Sequence, residues 1–261
     1  MRPKLIALDL DGTLLNSAGQ VSDRNAGALR AAHAAGIVLA PATARWYQAA
    51  IRPFQALGIP VAAIASAGAD VRDADGRVVC QQFLDGDFAL FLADLCNRAG
   101  WTATISTPER AYRRANELPA WAANAPEWLK PVTAFEGEHL SKALSVLAEA
   151  LPLDAHLPEL EAWAGRISMF TATSFNGDSL ITITAHGVDK GSGLLALCEH
   201  LGIDPMEAAA IGDSEVDLPM FRVAGIAVAM GDATEDAKEE ATHQTGTADE
   251  DGVAQFIESI L

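Results

Sequence analysis

Two aspartates one residue apart, Asp9 and Asp11, close a short apolar run, Lys4-Leu-Ile-Ala-Leu-Asp9-Leu-Asp11-Gly12-Thr13. Side chains alternate faces along a strand, so both carboxylates are expected to point the same way. Gly12 permits the turn that follows and keeps bulk away from a ligand. Carboxylates held together repel unless a cation binds them or one keeps a proton. Either outcome is chemistry: a metal site, or a nucleophile beside a general acid. The plain alternative is a solvated strand-to-loop turn, since Asp and Gly are ordinary turn residues.

Three more segments set reactive side chains just past, or beside, predicted strands. Thr43 follows the apolar run 37–41, with Arg45 two residues on. Its hydroxyl could bind a phosphate oxygen or cap the next helix. Lys190, in Gly187-Val-Asp-Lys190-Gly191, stands at a helix mouth, where ammonium and amides together suit an anion. The alternative there is a solvated lysine. Finally, Ala208-Ala-Ala-Ile-Gly212-Asp213-Ser214-Glu215-Val216-Asp217 delivers acids to another strand end.

In open α/β sheets, ligands bind outside the carboxyl ends of the strands. Such a fold would gather Asp9, Asp11, Thr43, Lys190, Asp213 and Asp217 into one crevice. With so many carboxylates the crevice could not hold a dianionic phosphate unaided. Two like charges about 4 Å apart repel by ~4 kcal/mol at the dielectric near a protein surface. A hard divalent cation removes the difficulty. Mg2+ fits, because it takes few carboxylates, keeps waters and bridges to phosphate.

The elements that must position these residues alternate strand and helix at both ends of the chain, which argues for a parallel sheet with helices on both faces. After the strand at 4–10 comes a helix with Ser22 as N-cap and Gly36 beyond its end. A strand at 37–41 follows, then a helix near 46–57 in which Pro53 should kink or split the helix. The next strand covers 61–65, and Asp73-Ala-Asp75-Gly76-Arg77 reads as a hairpin turn. Toward the carboxyl end the spacing predicts a helix at 191–201 closed by Gly202, a strand at 208–211, a helix at 216–224 and a strand at 226–230. The acidic segment 235–251 reads as a solvated helix and loop.

The middle differs. Phe88, Phe91, Leu92, Leu95 and Ala99 trace a helical face closed by Gly100, and 101–107 alternates like a strand. Leu140, Ala143, Leu144, Leu147 and Leu151 suggest a second helix over 138–150. Two runs, 166–174 and 179–184, flank the hairpin signal Phe175-Asn176-Gly177-Asp178. Trp121 and Trp128 mark a loop-rich stretch that either packs within this unit or lines a pocket. The expected organisation is therefore a Rossmann-like core, 1–83 and 186–261, with an α+β cap inserted at 84–185.

A formal net charge of −17 over 261 residues disfavours nucleic acid and anionic membranes as partners, which call for clustered Lys and Arg. An anionic small molecule stays compatible, because a local metal or lysine can reverse the field in a cleft. Cys80, Cys96 and Cys198 form no Cys-x-x-Cys pair, and the last two fall in apolar helical patterns, as buried thiols do. No signal-peptide pattern opens the chain, and no apolar run approaches about 18 residues. A reducing, cytoplasmic setting is expected. Oligomeric state is not encoded in any of these features.

With these residues in view, the chain resembles the haloacid dehalogenase (HAD) superfamily of phosphohydrolases, and within it the Cof-type branch, whose cap lies between the second and third motifs. The segments that carry the resemblance are Asp9-Leu-Asp11-Gly-Thr-Leu, Ala42-Thr43-Ala-Arg45, Asp189-Lys190-Gly191, Gly212-Asp213 to Asp217, and Val228-Ala-Met230-Gly-Asp-Ala233. The resemblance implies a Mg2+-dependent phosphomonoesterase acting on a small phosphorylated metabolite such as a sugar phosphate. It implies Asp9 as nucleophile, forming an aspartyl-phosphate, and Asp11 as general acid and then base. Gly12, Thr43 and Lys190 would contact the phosphoryl group, and Arg45 would reach the substrate. Asp9, the backbone carbonyl of Asp11 and Asp213 would hold the metal, with Asp217 and Ser214 supporting them.

The chain departs from the family pattern at four positions. Val216 replaces a usual Asn, Ala44 a usual Gly, Ala67 a usual Asn and Asp232 a usual Asn. Val216 puts an apolar side chain where an amide would bond around metal and phosphate, which either weakens the site or is compensated by a neighbour such as Ser214. Other functions consistent with these motifs are a phosphotransferase or phosphomutase, a glycosyl-phosphate phosphatase, and a binding protein that keeps the pocket without turnover.

Overall fold

Every residue of β1 (Leu5–Leu8) and of β12 (Ala208–Gly212) is buried, which is why both strands read as unbroken apolar runs rather than alternating ones. The computed structural model describes residues 2–140, 142–149, 155–173 and 179–261. The two strands pair in parallel, Leu5 opposite Ala208 and Leu8 opposite Ile211. On the other side of β1 lies β2 (Val38–Pro41), also parallel. Outward from β12 come β13 (Ile226–Ala229) and a two-residue edge strand, β14 (His243–Gln244). The sheet order is thus β14-β13-β12-β1-β2.

Two helix pairs cover this sheet: α1 (Asp23–Ala34) packs on α8 (Gly252–Ile260), and α5 (Lys190–Leu201) on α6 (Leu218–Val223). Ser22 caps α1 by accepting from the Asn25 N–H, and Gly202 ends α5 in the left-handed conformation. The parallel α/β core is the architecture expected from the sequence. α2 (Tyr47–Leu57) is not split at Pro53 and runs past it. The segment 235–251 holds α7 (Glu235–Glu240) and, unexpectedly, β14, whose two residues are too few for a periodic signal.

β3 (Ala63–Ala65) continues from the edge of β2 through a parallel bridge between Ala42 and Ile64. It then starts a separate three-stranded sheet with β4 (Asp70–Arg72) and β5 (Val78–Gln81). The turn between β4 and β5 is built on Asp73, whose Oδ1 accepts from the N–H groups of Asp75 and Arg77.

The chain forms two compact units, Met1–Cys80 with Asp189–Leu261, and Gln81–Val188. The second contains a six-stranded sheet ordered β10-β11-β9-β6-β7-β8. Its strands are β6 (Thr102–Ser106), β7 (Ala111–Arg114), β8 (Leu129–Val132), β9 (Ser145–Glu149), β10 (Ile167–Thr173) and β11 (Ser179–Ala185). All neighbouring pairs are antiparallel except β7 with β8. One face packs on α3 (Gly86–Ala99), which Asp85 caps and Gly100 ends; a short α4 (Leu157–Glu161) precedes β10. Phe88, Leu92 and Trp101 meet alternate strand residues Ala103, Ile105, Val146, Ala148, Ile181 and Ile183 in this core.

The helix expected over 138–150 is not formed. A short 3-10 turn at Gly137–Leu140 precedes β9, in which Val146 and Ala148 are buried while Leu147 and Glu149 are half-buried. Val146 stands opposite Ile105 and Ile183, so ladder partners on both sides outweigh the chance three- and four-residue spacing. Leu151 and the turn Phe175-Asn176-Gly177-Asp178 lie outside the described residues, although β10 and β11 on either side of that turn pair in register. Trp121 sits in a 3-10 stretch, Ala120–Asn124, and is 42% exposed rather than packed in the core.

Cys96 and Cys198 are buried free thiols, and burial pushes them up to about 12 and about 11. Among the described residues no helix is long and apolar enough to cross a membrane.

Candidate active site

Parallel strands put their carboxyl ends on one edge, and the reactive residues follow from that edge. Asp9 is the first residue beyond β1, and its N–H donates to the Ile211 carbonyl of β12 at 2.9 Å. Its side chain is buried, and Oδ1 accepts from Lys190 Nζ at 2.7 Å. Lys190 opens α5, where Asp189 is the N-cap in a reciprocal box with Ser192. The same ammonium donates to Asp217 Oδ1 at 2.6 Å.

Asp217 is fully buried. Its second oxygen accepts from the backbone N–H of Asp213 at 2.9 Å and of Ser214 at 3.2 Å. Both oxygens of Asp217 are therefore engaged, one by a cation and one by the turn that carries Asp213. Asp213 Oδ1 accepts from Thr13 Oγ1 at 3.0 Å. Thr13 was not singled out in the sequence; its place directly after Gly12 was the available signal.

Gly12 has φ +84°, and a Cβ there would lie 2.6 Å from Asp213 Oδ2. Only glycine fits that backbone at that distance. Gly212 meets a similar constraint, since a Cβ would fall 2.4 Å from Asp217 Cγ.

Asp11 behaves differently from Asp9. Its carboxylate is gripped by the Arg45 guanidinium, with Nε 2.8 Å from Oδ2 and a terminal nitrogen on Oδ1. It does not belong to the acid cluster formed by Asp9, Asp213 and Asp217, each of which offers one carboxylate oxygen within 4.8 Å of the others. Thr43 is buried beyond the end of β2, and its Oγ1 accepts from the Arg45 N–H at 3.2 Å. That leaves the hydroxyl hydrogen of Thr43 free to donate elsewhere. Ser214 contributes its N–H to Asp217. Val216 is half-buried in the 3-10 turn Glu215–Asp217 between the two acids.

Burial dominates the electrostatics. It pushes the Asp9 carboxyl up to about 7; the Lys190 charge opposes that, while Asp217 and Asp11 add to it. Asp213 rises to about 8, again through burial first, then the charges of Asp9 and Asp217. Burial works against the Lys190 ammonium, yet the carboxylates of Asp217 and Asp9 outweigh it and hold the group above its ordinary range.

Asp9 and Asp217 thus share one lysine, with Asp213 beside them, and burial biases Asp9 and Asp213 toward the protonated form. This oxygen-only donor set suits a hard divalent cation, and the missing Cβ of Gly12 leaves room beside Asp213. Asp9 and Asp213 are the carboxylates with an oxygen to spare for it. Asp217, with both oxygens already bonded, holds Lys190 and the Asp213 turn in place.

Comparison with known proteins gives a consistent picture. Residues 6–257 match the model of a family described as haloacid dehalogenase-like hydrolase. A 5-amino-6-(5-phospho-D-ribitylamino)uracil phosphatase of Bacillus subtilis, YcsE, is 31% identical over 97% of this chain and 94% of its own length. The B. subtilis phosphatase YwpJ is 32% identical over 99% of this chain and all of its own. Among solved structures, a haloacid dehalogenase-like hydrolase from B. subtilis superposes with a TM-score of 0.84 at 27% identity, covering 99% of this chain and 100% of that one.

Proposed function

The chain belongs to the haloacid dehalogenase-like hydrolases, and from that premise we propose that it is a Mg2+-dependent phosphomonoesterase acting on a small, sugar-phosphate-like metabolite. The observation that carries this reading is the buried network of Asp9, Lys190, Asp217 and Asp213 at the strand ends. It offers a nucleophilic oxygen, a fixed positive charge and a cation site within one hydrogen-bonded unit. The ribityl phosphate named for the B. subtilis relative supports a phosphorylated polyol or sugar as the substrate class.

In this reading the Asp9 carboxylate attacks phosphorus, a bond forms from its oxygen, and the bond to the leaving alkoxide breaks. Asp11 supplies the proton that the departing oxygen needs. It then takes a proton from the water that attacks the aspartyl-phosphate, so that phosphate leaves and Asp9 is restored. Lys190 and the Thr43 hydroxyl hold phosphoryl oxygens, and their buried settings keep them still while charge moves. The Arg45 guanidinium holds the Asp11 carboxyl in one orientation for both proton transfers.

Asp9, Asp213 and the Asp11 backbone carbonyl are the groups we assign to Mg2+. When bound, Mg2+ would offset the carboxylate charge and let a phosphate dianion approach. We assign the choice of leaving group to the inserted unit, Gln81–Val188.

The test is phosphate release from a panel of sugar phosphates and nucleotides with Mg2+, comparing wild type with Asp9→Asn. The expected outcome is release on at least one ester and a loss of at least about a thousandfold in the variant. Equal background for both proteins on every compound would overturn the reading.

A further inference from the structure

Three consecutive residues, Ser66, Ala67 and Gly68, have left-handed backbones, with φ of +52°, +56° and +99°. Glycine is the usual visitor to this region, and then singly. Here the strain also falls on a buried serine and a buried alanine, and the Ser66 hydroxyl has no hydrogen-bond partner. Unfavourable backbone of this kind persists where the surroundings over-determine it.

Those surroundings are two parts of the site. On one side, Ser66 N–H donates to the Arg45 carbonyl and Ala67 N–H to the Thr43 carbonyl, both at 2.9 Å. The Thr43 N–H in turn donates to Ile64 at 2.9 Å, just ahead of the turn. On the other side the turn abuts α5. A Cβ on Gly68 would lie 1.9 Å from the Asp189 carbonyl oxygen, and a Cβ on Gly193 would lie 3.1 Å from Gly68 Cα. Asp189 is the N-cap of α5, and Lys190 is the next residue. One three-residue turn therefore touches the backbone of Thr43 and the residue that precedes Lys190.

We propose that the Ser66–Gly68 turn is a positioning element that sets Thr43 against Lys190, so that both approach one phosphoryl group from fixed places. The inference rests on the reading above in which these two side chains hold phosphoryl oxygens. The left-handed conformation sends two successive N–H groups to the Thr43 loop and leaves Gly68 bare against Asp189. A relaxed turn would give up one contact or the other. Ala67 is the informative position, because removing its methyl frees the backbone without deleting a hydrogen bond. Gly68→Ala, by contrast, collides with a carbonyl and endangers folding.

The experiment compares wild type, Ala67→Gly and Ala67→Asn with Mg2+ present, reading thermal unfolding, inhibition by inorganic phosphate, and amide hydrogen exchange. Ala67→Gly should be at least as thermally stable as wild type, since glycine escapes the left-handed penalty. It should nevertheless be inhibited roughly tenfold more weakly by phosphate, because loosened groups bind less well. Its amide exchange should accelerate both at 43–45 and at 189–193. Ala67→Asn should keep the wild-type phosphate affinity, because asparagine tolerates this region. Unchanged inhibition of Ala67→Gly, or exchange altered only at 66–69, would overturn the proposal. So would a parallel loss of stability and affinity in both variants, which is what a plain packing role gives. If phosphate inhibits wild type and Thr43→Val alike, the reading of Thr43 as a phosphoryl holder fails and this inference falls with it, whereas weakened inhibition of Thr43→Val with none of Ala67→Gly overturns this inference alone.

Discussion

The Lys190 side chain and its carboxylates on Asp9 and Asp217 are 3%, 8% and 0% exposed, whereas Arg45 and Asp11, a similar pair of opposite charges, are 36% and 47% exposed. The two halves of the site therefore obey different rules. In the buried half, each charge depends on the others, because a lone ion out of water is strongly destabilising. In the exposed half, water screens the pair and can replace either partner. The groups assigned to hold phosphate and cation lie where nothing can move cheaply. The group assigned to pass protons lies where it can exchange them with solvent.

The largest expected effect comes from the buried half. Lys190→Met should lower stability by about 3–5 kcal/mol, the usual consequence of stripping one partner from a buried ionic network. Denaturant unfolding would measure it, and a loss no greater than that of Arg45→Met would break the distinction.

A second effect is set by pH. In the unfolded chain Asp9 and Asp213 titrate near 3.8; in the folded, metal-free protein they titrate near 7 and 8. Between those values the folded state holds protons that the unfolded state has lost, so stability falls as pH rises. The contribution is fully present below about 4 and gone above about 8. Melting in chelator from pH 5 to 8 should show this decline beyond that of an Asp9→Asn, Asp213→Asn double variant. Mg2+ should raise the melting point more at pH 8 than at pH 6, because the carboxylates must lose protons to bind it. A stability that rises over this window would contradict the buried assignment.

Smaller effects belong to the exposed half and its margin. Arg45→Gln should change stability by no more than ~1 kcal/mol. It should slow alkyl phosphates more than p-nitrophenyl phosphate, whose leaving group needs little protonation. Equal slowing would place Arg45 on the phosphoryl group instead of on Asp11. The smallest change is expected from Val216→Asn, which should leave turnover intact or raise it. A large loss would mean that the apolar side chain is built into the 3-10 turn on which Asp217 depends.

The buried half was legible in the sequence because its logic is one-dimensional. An apolar run that ends in an acid, repeated at β1 and β12, announces strands that deliver carboxylates to a common edge. What the sequence hid depends on contacts between distant residues. The different roles of Asp213 and Asp217 came from the family resemblance and not from the local pattern; in the structure the backbone N–H donors on Asp217 set the two apart. Likewise nothing local in Asp9-Leu-Asp11 tells that Asp9 bonds Lys190 while Asp11 bonds Arg45, because both partners lie far along the chain. Leu140, Ala143, Leu144 and Leu147 imitated a helix because 3-10 turn and strand adjoin there. Ala67, where the family resemblance leads one to expect Asn, stands at φ +56°, which gives a backbone reason for that preference.

The chain leaves the core after Cys80 and re-enters it at Asp189, and the capping pair Asp189 and Ser192 lies wholly on the returning side. The lysine of the site is thus locked by residues met only after the excursion is over. The capping instruction for Lys190 is therefore written outside 81–188. On the proposed reading, a graft cut at those two junctions would change which leaving group is accepted while Lys190 keeps its own cap.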